Sequence, residues 1–331
     1  MLNYFTNKTI LITGGTGSLG KSLLNFFIKK KIKIKKIIIF SRDELKQHDL
    51  SNTIEENYKK FIRFFLGDIR DLQRLKTAFS GVDVVIHAAA LKQVPAAEYN
   101  PTEFIKTNIL GTQNVIEAAL DTNIKKALLL STDKASSPLN LYGATKLCAD
   151  KLFLSANNIK GAKDISFAVL RYGNVMNSRG SVIEVFKKQR EKFNKVFLTD
   201  SKMTRFNILL EDAIKLVLWS IVNTKGGELI VPKLPSFYIK DLAEIMGNGK
   251  YDITGIRAGE KLHEEMISEH ESANTFELKN KYIIIPKNLR AFYKYKKAKP
   301  VTSGFSYNSQ TNKNFLSKSE LKIILKKLNV I

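Results

Sequence analysis

The segment Gly14-Gly15-Thr16-Gly17-Ser18-Leu19-Gly20 constrains this chain more than any other. It follows an apolar run, Thr9–Thr13 (TILIT), and opens a helical segment from about Gly20 to Lys31. Glycines at 14, 17 and 20 make a turn free of Cβ atoms, so backbone N–H groups and the helix N-terminus can approach a pyrophosphate. A glycine pattern alone carries little weight. The strand before it and the helix after it make a dinucleotide-binding turn the stronger reading than a purely structural one. Further short apolar runs follow at Lys36–Phe40 (KIIIF), Phe61–Leu66, Asp83–His87, Ala127–Ser131 and Phe167–Arg171, with helix-like segments between them. That alternation predicts an α/β fold, a Rossmann-like doubly wound parallel sheet with helices on both faces.

The second half is less regular. Gly173–Gly180 reads as a loop, Val182–Phe193 as a helix and Leu229–Val231 as a short strand. Residues 1–172 are therefore expected to bind the dinucleotide. Residues 173–331 are expected to form mainly a smaller C-terminal substrate-binding lobe, with segments returning to the first domain. Ser317-Lys318-Ser319-Glu320 is a capping box that opens an amphipathic last helix, expected to dock onto the protein.

The 331 residues, 44% of them hydrophobic, suffice for a full core. The single cysteine, Cys148, rules out an internal disulfide and fits a cytoplasmic setting; it reads as a small core residue. No apolar stretch approaches the roughly 20 residues of a membrane span, and the N-terminus lacks the pattern of a signal peptide. The net charge of +23 is spread along the chain, with denser lysine runs at 29–36 and 292–299. Without interleaved aromatic stacking motifs this points to solvated helix faces rather than nucleic acid. Attraction of a diphosphate-bearing substrate is the weaker functional reading.

The end of the second strand selects the cofactor. An acidic residue there would bind the ribose 2′-hydroxyl of NAD, whereas this strand ends at Ser41 with Arg42 next. A guanidinium suits a 2′-phosphate, and Lys46 lies one turn on, past Asp43. NADP is the expected cofactor. Asp68-Ile69 after the third strand could accept from the adenine amino group or cap the next turn. His87 reads as structural, and the small residues Ala88 to Ala90 leave room for a flat cofactor.

Tyr142 and Lys146 stand four apart on one helical face, where the lysine is expected to lower the phenol's pKa and the pair to hold the nicotinamide ribose. Upstream, Ser131-Thr132-Asp133-Lys134 ends the fifth strand, where open parallel sheets bind ligands. An adjacent acid and base are more than a simple dehydrogenase or epimerase needs. Elimination of water needs both, one to take a carbon-bound proton and one to protonate the departing hydroxyl.

The motifs LITGGTGSLGK, SRDELKQ, GDIRDL, HAAALKQVPAAEYNP, LSTDKA, LNLYGATKL, MTRF and GIRAGEKLHE run almost end to end. On them the chain resembles the extended short-chain dehydrogenase/reductases, and more narrowly the inverting UDP-N-acetylglucosamine 4,6-dehydratases that begin pseudaminic acid synthesis. It departs from that pattern at Gln93, Met176-Asn177, Asn207 and Ala258. The resemblance implies that Tyr142 takes the 4-hydroxyl proton while hydride passes from carbon 4 to NADP. Lys134 then removes the carbon-5 proton, Asp133 protonates the departing 6-hydroxyl, and hydride returns to carbon 6. A base at Lys134 needs a depressed pKa, which Lys146 and burial are expected to supply. The resemblance further implies Lys92, Ser131, Thr132, Asn174, Arg205, Arg257 and Glu260 around the UDP-sugar, Lys92 also near the cofactor, no metal, and a homo-oligomer, either a dimer or a hexamer. A 4-epimerase, a retaining dehydratase of the legionaminic acid type and a non-enzymatic NADP-binding regulator stay open as alternatives.

The cofactor assignment is testable at one residue. Arg42→Ala should weaken NADP binding roughly 10- to 100-fold, the value of a hydrogen bond to a charged group, and leave NAD binding little changed. Titration with both dinucleotides measures it, and equal losses for both exclude the 2′-phosphate role.

Overall fold

Thr9–Thr13 is buried along its whole length and forms β1. The computed structural model describes residues 1–178, 180–287, 295 and 297–331, so part of the lysine run at 292–299 lies outside the described residues. Five more parallel strands follow: β2 (Lys36–Ser41), β3 (Ile62–Leu66), β4 (Val84–His87), β5 (Lys126–Thr132) and β6 (Ser166–Tyr172). They lie in the order β3-β2-β1-β4-β5-β6, and Leu229–Pro232 adds a further parallel strand beside β6. Strand order reverses between β1 and β4, which opens a crevice at their C-terminal ends. The registers Thr13↔Phe40, Thr13↔His87 and Thr132↔Tyr172 bring those ends to nearly one level.

Alternate residues of the strands feed two cores. Leu11, Val85, Leu129 and Phe167 pack on one face with Phe153. Ile10, Ile12, Ile39 and Leu128 pack on the other, with Leu24 of helix α1 (Ser18–Lys29) and Leu218 of the helix Leu210–Asn223. The expected α/β architecture is thus the observed one. A third core, built on Met176, Ile183, Phe186, Leu242, Leu321 and Leu325, belongs to the second half. The last helix, Lys318–Lys327, has the capping box at Ser317 and buries Leu321 and Leu325 in that core.

One feature departs from the sequence reading, and a second gives the form in which the later segments return to the first domain. The loop expected at Gly173–Gly180 contains a short strand, Asn174–Val175, paired in parallel with Thr204–Ile208. Beyond Leu229–Pro232 the sheet continues through antiparallel strands at Lys281–Ile284, Thr275–Leu278 and Lys299–Pro300. Both arise from long-range pairing, which local periodicity does not carry.

The halves are tied through Arg171 on β6, which is 1% exposed. Its guanidinium donates to Asp150 at 3.3 Å, to Glu271 at 3.0 Å and to the Met266 carbonyl at 2.9 Å. At the other end of the sheet, a methyl group on Gly20 would run into the Gly15 backbone. Gly20→Ala should therefore destabilise the fold by about 1–3 kcal/mol, the cost of overpacking, read from urea unfolding. Wild-type stability in that variant would mean that α1 does not pack tightly on the turn.

Candidate active site

The glycine turn meets the requirements of a pyrophosphate cradle. Gly14 has φ +66°, and a Cβ there would lie 2.9 Å from the Ala89 backbone. Gly17 donates to the Gly14 carbonyl at 2.9 Å and is the N-cap of α1, so the cap position carries no side chain. Thr16 is buried under the turn, and Ser18 and Leu19 form the first helical turn. Ala88 follows β4 with its N–H on the Thr13 carbonyl, so Ala88 to Ala90 present small residues beside the cradle. A dinucleotide phosphate suits the positive end of α1, where Gly17 presents backbone without a Cβ.

Ser41 is buried at the end of β2, and Arg42 is half-exposed with Nη1 3.7 Å from Asp68 Oδ2. Asp43 caps the helix α2 (Glu44–Asn52) by accepting the Lys46 N–H at 2.9 Å, and it also pairs with the Lys46 ammonium. Asp68 is engaged by Arg70, through the backbone N–H at 2.9 Å and the guanidinium at 2.8 Å. Burial raises its pKa, but Arg70 and Arg42 outweigh that and hold it below the usual carboxylate range. Ile69 is buried against Gly111. His87 sits between the hydroxyls of Thr13 (2.7 Å) and Thr112 (3.1 Å). Burial, then the Lys146 charge, push it down to about 3, which marks a neutral structural histidine.

β5 delivers the next residues. Ser131 is buried near its end, and Thr132 caps a short 3-10 turn, Asp133–Ala135. Asn140 caps the helix Leu141–Ile159 by accepting from the Gly143 N–H at 2.8 Å. Any side chain at Gly143 would strike the Lys134 carbonyl, so this glycine lets the helix close on the turn. Tyr142 and Lys146 then face inward together with Thr145 and Ala149. Asn108, which the sequence reading did not single out, holds Thr145 (3.0 Å) and both backbone groups of Leu91 (2.9 Å each).

Four charges meet here. Lys134 Nζ lies 3.1 Å from Asp133 Oδ1 and 3.1 Å from Glu264 Oε1. Arg205 Nε lies 3.5 Å from the same Glu264 oxygen. Asp133 is fully buried and also accepts from the Thr132 hydroxyl at 2.9 Å. Its Oδ2, like Glu264 Oε2, is buried without a hydrogen-bond partner. Burial pushes the Asp133 pKa up, helped by Glu264 and opposed by Lys134. Burial pushes Glu264 the same way, but Lys134 and Arg205 prevail and hold it below the usual range. One carboxyl is thus biased towards the acid and the other towards the anion.

Three expectations are corrected. Lys134 is not depressed: burial acts in that direction, but the Asp133 and Glu264 carboxylates outweigh it and hold the ammonium above the usual lysine range. Tyr142 is not lowered by Lys146. Burial raises it to about 12, and the cation opposing that rise is Lys134. The Lys146 ammonium instead donates to the Leu130 carbonyl at 2.9 Å, and burial lowers its own pKa against the pull of Asp150. Cys148 is exposed, not in the core, because it lies opposite the inward stripe Tyr142, Lys146, Ala149, Phe153.

The expected substrate residues divide. Ser131, Thr132 and Arg205 join the cluster, and Glu260 lies 3.8 Å from Arg205 at its edge. Arg205 also donates to the carbonyls of Thr204, Leu262 and Lys261. Arg257 and Asn174 are exposed, Arg257 three residues before Glu260 and Asn174 on the short strand paired with Asn207. Lys92 is exposed at the surface, and burial of its ammonium end lowers its pKa against the pull of Glu184. Glu264 was missed as a member of the site, although it stands in the GEKLHE motif.

The profile of the polysaccharide biosynthesis protein family matches residues 10–286. A UDP-N-acetylglucosamine 4,6-dehydratase (inverting) of Campylobacter jejuni is 50% identical over 97% of this chain and 98% of its own length. A UDP-glucose 4-epimerase of Rickettsia felis is 40% identical over 99% of this chain and 98% of its own. The X-ray structure of Pen from Bacillus thuringiensis superimposes with a TM-score of 0.90 at 39% identity, covering 99% of both chains.

The Tyr142 environment gives a direct measurement. Ultraviolet titration of the cofactor-free protein, with Tyr142→Phe as the subtraction, should place this phenol near pH 12, above ordinary tyrosines at about 10. Ionisation below pH 9 would mean that burial does not dominate there.

Proposed function

The chain belongs to the polysaccharide biosynthesis protein family, and from that premise we propose that it is a UDP-N-acetylglucosamine 4,6-dehydratase that inverts carbon 5, a carbon–oxygen lyase. The carrying observation is the Asp133–Lys134 pair at the C-terminal end of β5, buried beside Tyr142. An acid and a base at one strand end suit elimination of water and exceed what oxidation or epimerisation at carbon 4 needs. The product is the 4-keto-6-deoxy sugar nucleotide.

Gly14, Thr16, Gly17, Ser18, Leu19 and Gly20 would hold the dinucleotide's phosphates, with Ser41, Arg42 and Lys46 at its ribose. Arg42 and Lys46 favour NADP over NAD there. Bound in that place, the dinucleotide supplies transient oxidation at carbon 4 and the later reduction at carbon 6. Tyr142 holds the proton of the 4-hydroxyl, and Lys146, fixed on Leu130, orients the ribose. The ketone at carbon 4 acidifies the hydrogen at carbon 5. Lys134 takes that proton as a neutral amine, so its ammonium must first lose one. Asp133 Oδ1, 3.1 Å away, can accept it. One transfer then makes both the base and the acid: Lys134 becomes the amine, and Asp133 becomes the carboxylic acid that protonates the departing 6-hydroxyl. Return of a proton to carbon 5 on the opposite face inverts it.

Arg205, Glu260, Lys92, Asn174 and Arg257 are the proposed contacts to the UDP-sugar, with Ser131 and Thr132 at the sugar. A cytoplasmic setting, a homo-oligomeric state and entry of the product into pseudaminic acid, for flagellin or a surface polysaccharide, are proposed with the family reading. No described helix is long and apolar enough to cross a membrane.

Incubation with UDP-N-acetylglucosamine in deuterated water, followed by NMR, decides the reaction. The expected product has lost water, carries deuterium at carbon 5 and has the inverted configuration there. An epimerase, the activity named for the Rickettsia relative, would return a UDP-hexosamine with its 6-hydroxyl intact. Lys134→Ala should slow deuterium uptake at carbon 5 by roughly 10²–10⁴-fold. Near-normal elimination in that variant excludes the base role.

A further inference from the structure

We propose that Glu264 is a positioning residue of the elimination step, the buried anion that holds Lys134 against Asp133 and sets the charge of that pair. The inference rests on the dehydratase reading and adds to it a residue outside the strand-end motif.

Geometry carries it. Glu264 is 2% exposed, and its Oε1 lies 3.1 Å from Lys134 Nζ and 3.5 Å from Arg205 Nε. The backbone around it is fixed: its N–H donates to Ser309 Oγ at 2.9 Å, and its carbonyl accepts the Ser309 N–H at 2.7 Å. The segment carrying it is stapled to the catalytic loop. Asn140 donates to the Gly259 carbonyl (2.8 Å), Lys261 to the Ser136 carbonyl (2.6 Å), and the Ser136 and Ser137 hydroxyls to Glu265 (3.1 and 2.5 Å). Glu264 keeps Oε2 buried and unpartnered, as does Asp133 with Oδ2. Two such atoms on the two carboxylates that flank one ammonium suit a site kept for chemistry.

The charged groups around it give the sign. Lys134 and Asp133 face Glu264 from the turn after β5, and Arg205 from Thr204–Ile208. Lys261 and Glu260 lie on its own segment with Glu265 beyond, Tyr142 stands beside Lys134, and His263 is held by Thr204. The anion raises the pKa of both Lys134 and Asp133. Removing it must lower both. The active pair carries a single proton, so the pH–rate profile rises where the Asp133 carboxyl loses its proton and falls where the Lys134 ammonium loses its own, and both limbs must then move together to lower pH.

The test is the pH profile of kcat for water elimination in wild type, Glu264→Gln and Glu264→Asp, with NADP binding as the check on folding. In Glu264→Gln both limbs should shift to lower pH by about 1–3 units, the effect of one neighbouring charge, while KM changes less than kcat. Glu264→Asp keeps the charge on a shorter arm and should shift the same way by less. A lower amplitude with limbs in place means a structural role and overturns the proposal. If Glu264→Gln does not fold, an unshifted Glu264→Asp profile overturns it equally. Wild type that eliminates no water defeats the dehydratase reading and this inference with it, whereas active wild type with unshifted variants defeats this inference alone.

Discussion

Four clustered charges, three of them buried and Lys134 half-buried, hold the two halves of this molecule in working relation. Asp133 and Lys134 come from the end of β5, Arg205 from the strand Thr204–Ile208, and Glu264 from a segment some 130 positions further along the chain. Removing an ion from water costs several kcal/mol, and only close opposite charges and hydrogen bonds offset it. Each member is therefore tolerable in the interior only while the others are in place. Withdrawing the second half would leave the Asp133–Lys134 pair without Glu264 and Arg205. The seating of that half and the protonation of the site are one problem.

A second buried set braces the first. Asp150 lies one turn beyond Lys146 and meets Arg171, which also grips Glu271 and the Met266 carbonyl. The helix Leu141–Ile159 is thereby fixed at both ends of its inward face, by Asn140 and the close approach at Gly143 and by Asp150 further along. A side chain on a helix so held moves little, which is what positioning a phenol and an amine against a sugar demands. The segments Gly259–Glu265 and Met266–Glu271 thus act as two clasps, the first on Asn140 and the turn after β5 and the second on Arg171, which holds Asp150 of the helix.

Much of this was legible before any coordinates. Ile10–Ile12, Ile37–Phe40, Val84–Ile86 and Ala127–Leu130 are unbroken hydrophobic stretches, the form that a strand covered on both faces takes. The glycine turn fixes where the first strand ends, and position at a strand end singled out Asp133 and Lys134. The misses share one cause. Glu260, Glu264 and Glu265 look alike in sequence, and only the pairing of Glu265–Ile267 with Tyr307–Asn308 decides which carboxylate turns inward. Without Glu264, Lys146 and burial were the influences expected on Lys134, and the expected pKa took the wrong direction. The error at Cys148 was avoidable, since helical periodicity alone puts it opposite Tyr142 and Lys146.

The same scaffold serves both of the activities named among the relatives, so the scaffold does not decide between them. A glycine turn, a small-residue platform after β4 and an inward Tyr142 and Lys146 suffice for reversible oxidation at carbon 4. The costly addition is a lysine between two carboxylates, each with an oxygen buried and unpartnered. Apolar residues of similar size would fill that space at no loss, and often some gain, of stability. A sequence that breaks its own packing rule at one point, and at the strand end where substrate must lie, has put function there in place of stability. Elimination needs a proton removed from one carbon and delivered to an oxygen on the next, and the Asp133–Lys134 pair can supply both by passing a single proton across 3.1 Å.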